Sequence, residues 1–353
     1  MKDRLQNWDI YSDQPKILDK NTKKELRKGS LSSIVKLIAK NIVLFPFLFI
    51  KFLFLKNFTT KKRKRDIFFY GLCVNLDKGE IQKELVDELA VKSLQIRFFL
   101  DDMQHIDDYV KFAKSFGEDK EILITIIQNK EHIKNQKLLQ DDIKIVFEKF
   151  KDITDEFMIG NAINRIKWSF VTIDEYLLFF QTIQDIKDRH FPHIKLIGSS
   201  VIDFEYHWTI GSLFHKYNIF YDKVSSLLYV DRRGSPNNTQ YGMFDLSNKI
   251  KLLESIVQTS PKCHDEIYIT ETNWPISGRA PYAPTSEKES VSLQQYDKYM
   301  KQYFKISENS KLISKVFWHQ LIAPGYGLVD DRDGQIIKQD PFYSFKDMIN
   351  KAK

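Results

Sequence analysis

What most limits the fold of this chain is a regular alternation, from Ile67 onward, of short apolar runs with longer amphipathic stretches. The apolar runs are Ile67–Val74, Leu94–Leu100, Ile122–Ile127, Glu156–Gly160, Ile194–Ser199, Ser226–Val230, Ile267–Thr270 and Val316–Gln320. Helical periodicity falls between and after them, around 78–90, 105–116, 136–150, 173–187, 208–217, 245–258, 289–306 and 342–351. Alternating β and α units argue for a parallel sheet, because parallel neighbours need a crossover connection. Eight such units over roughly 285 residues is the count of a (β/α)8 TIM barrel. The rival architecture is a doubly wound open sheet. No run is followed by GxGxxG or GxxxxGK[ST], the turns that cradle phosphates in such sheets.

The first 65 residues differ in kind. They carry 17 Lys and Arg against 5 Asp and Glu, a balance of +12, whereas the remainder carries 37 against 42, a balance of −5. A duplex-binding domain needs its basic stripe on the folded body, so nucleic acid is not an expected partner. Residues 31–58 form an apolar run punctuated by Lys36, Lys40, Lys51, Lys56 and Pro46. Its longest uncharged stretch, Asn41 to Ile50, is shorter than the roughly 20 residues of a spanning helix. Lysines that snorkel while Phe45, Phe47, Phe49, Phe52 and Phe54 enter the lipid boundary describe an interfacial anchor. The run Lys61-Lys62-Arg63-Lys64-Arg65 follows, and each charge near an anionic leaflet contributes about 1 kcal/mol. A tilted span and a soluble packing helix are the other readings of this segment. The expected division is a membrane-associating segment, 1–65, and a barrel, 66–353. Inner-membrane association is expected, with its side undetermined because both flanks are basic. Two cysteines, Cys73 and Cys263, are too few for a disulfide framework or a Cys-rich zinc site.

Barrel active sites are built where the strands end. Here those positions carry Asn75, Asp101-Asp102, Gln128-Asn129, and then Gly160-Asn161-Ala162-Ile163-Asn164-Arg165 with Lys167-Trp168. Asp203, Glu205 and His207-Trp208 follow the fifth run, and Asp231-Arg232-Arg233 the sixth. Thr270-Glu271-Thr272-Asn273-Trp274 closes the seventh and Phe317-Trp318-His319-Gln320 the eighth. Carboxylates supply acid, base or nucleophile. Tryptophan faces suit sugar rings, and amides suit hydroxyls. No His and carboxylate set has metal-ligand spacing, and no GxSxG elbow is present. Carbohydrate chemistry without metal or organic cofactor is the expectation.

Gly160-Asn161, Ile269-Thr270-Glu271 with Asn273-Trp274, and Trp318 resemble the retaining glycoside hydrolases of the (β/α)8 superfamily. There the fourth strand ends Gly-Asn-Glu, whose Glu is the acid/base, and the seventh carries the nucleophilic Glu. The resemblance covers roughly residues 67–350 and makes Glu271 the nucleophile. It also exposes a departure, since Ala162 stands where the acid/base belongs. Asp203, Glu205 and Asp231 compete for proton transfer. Asn161, Asn164, Arg165, Lys167, Trp168, His207, Arg232, Asn273, Trp274 and Trp318 are the expected substrate-binding residues.

The strings IGNAINRIKW, YVDRRGSPNNTQ, ITETNWP and FWHQLIAPGYGLVD resemble a narrower bacterial envelope group. This is the barrel-type subunit of the two-protein hydrolase that trims 3-deoxy-octulosonic acid (Kdo) from lipopolysaccharide. That resemblance implies a glycolipid substrate, a membrane surface and a second protein subunit. Kdo bears a carboxylate, and Arg165, Arg232 and Arg233 offer a clamp for it. The alternative of another class is a non-catalytic, glycan-binding barrel that scaffolds a partner enzyme at the membrane.

Single residues also have plainer readings. Glu271 could be a strand-end ion pair, Asp231-Arg232-Arg233 a structural network, and His207 and Trp318 packed core groups. Asp101-Asp102 reads as a helix N-cap, and Glu287 and Glu289 as a helix start. The proline-rich segment Asn273 to Glu289 reads as a lid or substrate-side loop, and Arg332 as part of a polar turn.

Overall fold

A computed structural model describes residues 8–57 and 67–353; Lys61 to Arg65, the basic run singled out above, lie outside the described residues. Eight parallel strands close into a barrel: β1 Tyr70–Val74, β2 Ser93–Phe99, β3 Glu121–Ile127, β4 Glu156–Ile159, β5 Lys195–Ile202, β6 Lys223–Leu227, β7 Ile267–Thr272 and β8 Lys315–Trp318. Each pairs with its sequence neighbours, and β8 closes on β1 through Val316↔Tyr70 and Trp318↔Leu72. The eightfold count is thus correct and the open sheet is excluded. Several boundaries differ. The first run opens with a helical turn, Ile67–Phe69, and the sixth strand lies three residues earlier than its apolar run, leaving Tyr229 and Val230 beyond its end.

Inward-facing residues fill the barrel in layers. Leu123, Met158, Ile197, Tyr268 and Phe317 make one compact interior cluster, separate from the larger shell between strands and helices. Below it, Lys223 pairs with Glu156 and Lys315 with Glu121, closing the floor with charge pairs. Gly71 makes room for this packing, since a Cβ there would stand 2.4 Å from the Phe317 ring. Gly71→Ala is expected to destabilise the protein by about 1–3 kcal/mol in urea unfolding, the usual penalty of overpacking.

The helices are α1 Lys20–Leu26, α2 Leu31–Asn57, α3 Ile81–Leu89, α4 Ile106–Ser115, α5 Lys130–Lys134, α6 Gln136–Phe150, α7 Ile173–His190, α8 Tyr206–Leu213, α9 Leu246–Val257, α10 Leu293–Ser310 and α11 Asp340–Asn350. Capping boxes open α7 (Thr172 with Glu175) and α10 (Ser292 with Gln295), so Glu287 and Glu289 precede that helix in a separate turn. Asp101-Asp102 makes no cap. Asp102 instead bonds His105 Nδ1 at 2.5 Å and accepts from the Tyr109 hydroxyl at 3.2 Å.

The N-terminal segment lies against the barrel. α2 runs unbroken through Pro46 and crosses α8 and α9. Leu37 packs on Gly211, where a Cβ would come within 2.5 Å of it, and Phe52 meets Phe244 with ring centroids 5.6 Å apart. Asn41 Nδ2 donates to the His207 carbonyl at 3.1 Å, and Ser33 Oγ to Asp174 at 2.8 Å. The opposite face of α2 carries Ile38, Ile42, Phe47, Ile50 and Phe54 into solvent. Before it, Trp8–Asp9 and Gln14–Pro15 pair as a short hairpin that sits on the barrel mouth.

Candidate active site

The mouth at the C-terminal strand ends holds a cavity of about 190 Å³. Its wall includes Asp13, Arg97, Ala162, Arg165, Lys167, Trp168, Asp203, Tyr229, Arg233, Glu271, Asn273, His319 and Tyr326. A local irregularity aims Glu271 into it. On β7, strict alternation from inward-facing Tyr268 would place Thr270 and Thr272 inside and Glu271 outside. However, Val316 faces Ile269 while Trp318 faces Thr272, so β7 holds one residue more than β8 over this stretch. Such a bulge re-aims a side chain, and Glu271 turns into the mouth. A second bulge on β5, with Ser199, Ser200 and Asp203 all at positive φ, delivers Ile202 and Asp203 to the same wall.

Glu271 is half-buried, and desolvation in the cavity pushes its carboxyl above the usual range. The Tyr229 hydroxyl donates to Oε1 at 2.6 Å, and this bond, with the charges of Arg97 and Arg233, pulls the other way. Burial and the Glu271 charge hold the Tyr229 phenol far above its ordinary value, so it remains a donor. Arg233 lies over the Tyr229 ring, 3.4 Å from its centroid, and fixes the phenol from behind.

Lys167, Trp168 and Asn273 line the cavity as expected, with Arg165 and Asp203 beside them. Asn273 is oriented by donating to the His319 carbonyl at 2.6 Å. Arg165 grips Asp203 at 2.6 Å and also Glu205, so it is already engaged by two carboxylates and is no open clamp. Glu205, Asp231 and Arg232 do not face Glu271; they line a neighbouring depression with Asp203 and Tyr241. Asn164 is a correction. Its amide bonds the Ile202 backbone on both sides (3.0 and 2.9 Å) and donates to Glu205 at 2.8 Å, so it braces the end of β5. Asn161 is buried outside the cavity wall, its backbone held by the Gln128 amide at 2.8 and 2.9 Å.

The two tryptophans expected as sugar platforms are core residues. Trp318 follows inward-facing Phe317, so alternation sends it outward against α10, where Nε1 donates to the Tyr296 hydroxyl at 2.7 Å. Trp274 stacks on it at 5.9 Å and donates to the Gly234 carbonyl at 2.9 Å. Both are fully buried. His207 is exposed in the first turn of α8, away from the cavity. Arg332 folds back on Asp330 at 3.0 Å, as a polar turn would. Of the Pro-rich segment after Trp274, Pro284 and Thr285 reach the cavity rim.

Sequence reasoning missed Arg97, Tyr229 as the partner of Glu271, and the whole N-terminal hairpin. Arg97 carried a legible signal: a charge inside the apolar run Leu94–Leu100 is expensive to bury unless it is used. Asp13 carried none. The described residues contain no cluster of His, Cys, Asp and Glu able to hold a metal.

Two buried amines set a pH dependence. Burial pushes Lys167 and Lys249 down to about 8 from 10.5, Lys249 lying 5.1 Å above the Phe204 ring. The unfolded chain keeps both protonated up to 10.5, so each costs stability at neutral pH and that cost fades between about 8 and 10.5. Lys249→Met is expected to be more stable than wild type at pH 7 and to show a flatter rise in stability towards pH 10, read by denaturant unfolding.

No family model matches the sequence, and no curated protein matches it. Solved structures do share its fold. A β-glucosidase from Thermotoga maritima, in complex with deoxynojirimycin, superposes with a TM-score of 0.56 at 10% identity, over 83% of this chain and 99% of that one. A monomeric β-xylosidase from Caulobacter crescentus gives 0.60 at 13% identity, over 82% and 69%. A rice β-glucosidase gives 0.56 at 9% identity, over 79% and 97%. The chain therefore has the (β/α)8 barrel fold of these glycoside hydrolases.

Proposed function

We propose that this protein is a glycosidase of a membrane-borne glycolipid, with Glu271 as nucleophile or base. The observation that carries this reading is a half-buried carboxylate at the strand-seven end, held by a phenol in a sugar-sized cavity at the barrel mouth. Hydrolysis breaks the bond between the anomeric carbon and the departing oxygen, forms a new bond from that carbon to water, and returns a proton to the alcohol. Of the three carboxylates considered for that proton, Asp203 shares the cavity with Glu271. Arg165 and Arg233 already neutralise it, at 2.6 and 3.5 Å. The ammonium of Lys167, on the loop that also bears Ala162, is the better donor near neutral pH. Lys167→Met is expected to slow cleavage of alkyl glycosides by about 100-fold and to spare aryl glycosides, whose leaving groups need no proton.

The finer reading is an acidic envelope sugar, Kdo on lipopolysaccharide. Four cationic side chains, Arg97, Arg165, Lys167 and Arg233, line the cavity, which favours an anionic ring over a neutral one. The solvent-facing apolar side of α2 and the basic residues of α1, among them Lys20, Lys23 and Lys24, favour work at an anionic membrane surface. α2 is also long and apolar enough by composition to cross a membrane. Its packing along α8 and α9 favours a helix lying in the interface instead. The narrower resemblance implies a second subunit, so the assay adds purified protein to envelope membranes from cells lacking the gene. Release of free Kdo by wild type, and none by Glu271→Gln, is the expected result. Equal release by both would favour the scaffold reading, and none by either would overturn the substrate.

A further inference from the structure

We infer that Arg97, with Asn75 and Gln320, forms a carboxylate-binding subsite for an acidic sugar, and that Asp13 of the N-terminal hairpin occupies it as a displaceable internal ligand. This deepens the substrate class proposed above, but its test does not depend on turnover.

Arg97 points inward from β2 and is 3% exposed. A guanidinium so buried needs an opposite charge, because its desolvation is costly. The barrel offers it amides. Arg97 Nε donates to Asn75 Oδ1 at 3.0 Å, and Nη2 reaches Gln320 Oε1 at 3.4 Å. Its ion-pair partner among the described residues is Asp13, whose Oδ2 accepts from Nη2 and, at 3.1 Å, from Gln320 Nε2. A guanidinium and a carboxamide converging on one carboxylate is a recognition cradle for that group. The barrel builds every part of the cradle except the carboxylate.

The carboxylate comes from an element outside the barrel sheet. The hairpin has two residues per strand, and hairpins of that size have little stability of their own. Asp13 itself sits at φ +54°, a conformation that strains a residue with a Cβ. Side-chain contacts seat the hairpin: Trp8 stands edge-on to Phe99 and Trp168 at 5.2 and 5.6 Å, Tyr11 to Tyr282 at 5.6 Å, Gln14 Nε2 donates to the Pro284 carbonyl at 3.0 Å, Lys167 Nζ to Gln14 Oε1 at 2.5 Å, and the Tyr326 hydroxyl to the Ser12 carbonyl at 3.4 Å. The hairpin strands form a sheet of their own, so Asp13 can leave the cradle without breaking a barrel strand.

Position completes the argument. Ser12, Asp13 and Gln14 wall the same cavity as Glu271, and the Arg97 charge acts on Glu271. With Asp13 seated, the cavity wall carries three carboxylates (Asp13, Asp203 and Glu271) against four cations. When it leaves, two remain, and both room and positive charge appear beside the reacting carboxylate. A sugar bearing a carboxylate next to its anomeric carbon supplies the missing group.

The test uses Asp13→Gly, which removes the carboxylate while keeping a residue at ease at positive φ. Thermal melting of the full chain is followed with free Kdo, with glucuronate and with glucose as the neutral control. The variant is expected to melt below wild type, to recover several degrees with either acidic sugar, and to gain nothing from glucose. Wild type should require at least tenfold more acidic sugar for the same shift, because Asp13 competes. Asp13→Asn, which keeps the shape of the turn, is read in the same way if the glycine variant does not fold. The double variant Asp13→Asn/Arg97→Gln removes both charges and should not respond to either acid. Equal shifts with glucose and the acids, or equal responses of wild type and variant, would overturn the proposal. Repeating the titration in a Glu271→Gln background separates the two readings, since the subsite survives there even if no hydrolysis is ever found.

Discussion

Glu271→Gln is expected to lower kcat on the order of 10⁴-fold while leaving the fold intact. The loss follows from chemistry: an amide can neither attack an anomeric carbon nor accept a proton from water, and removing one member of a catalytic set has effects of about this size. The fold survives because Gln keeps the shape and still accepts from the Tyr229 hydroxyl. It also removes a charge that burial disfavours, so thermal melting should be equal to or above that of wild type. Tyr229→Phe separates the electrostatic part. Its hydroxyl holds the Glu271 carboxyl down against burial, so without it the pKa rises further. Glu271 must be ionised to act, and the acidic limb of the rate profile should move to higher pH in the phenylalanine variant. Should the Glu271→Gln variant retain kcat within tenfold of wild type, this residue is not the reacting carboxylate.

The second large effect concerns α2. Phe47 and Phe54 are 69% and 64% exposed, and a fully buried phenylalanine gains about 1.5–3 kcal/mol. Replacing both by Glu is expected to reduce binding to vesicles containing anionic lipid by about 100-fold or more. Neither side chain packs on the barrel, so melting should be unchanged. Raising the salt concentration should weaken wild-type binding as well, since the basic residues of α1 act through a screened field. Vesicle binding that is indifferent to both substitutions would leave α2 as a packing helix only.

The sequence made the architecture readable because eight apolar runs, each followed by a helical period, leave few other folds. It also made Glu271 readable, as a carboxylate at the end of the seventh strand. Orientation was harder. Whether a strand residue faces inward depends on counting by twos, and one bulge shifts the count. The β7 bulge brings Glu271 inside, while Trp318, next to inward-facing Phe317, points outward into the helical shell. Trp274 and Trp318 therefore looked like sugar platforms from their positions and are packing residues by their phase. Asn164 differs for another reason: a polar side chain at a strand end can serve to satisfy loop backbone, and here it bonds the Ile202 backbone. The hairpin at residues 8–15 was illegible because its role depends on meeting Arg97, 84 positions away, and no local pattern records that.

The most direct measurement of the central claim is mass spectrometry of envelope glycolipid from cells lacking this gene, complemented with wild type or with Glu271→Gln. The account predicts that deletion adds the mass of one acidic sugar, that wild type removes it, and that Glu271→Gln does not. Restoration by Glu271→Gln as complete as by wild type would contradict it.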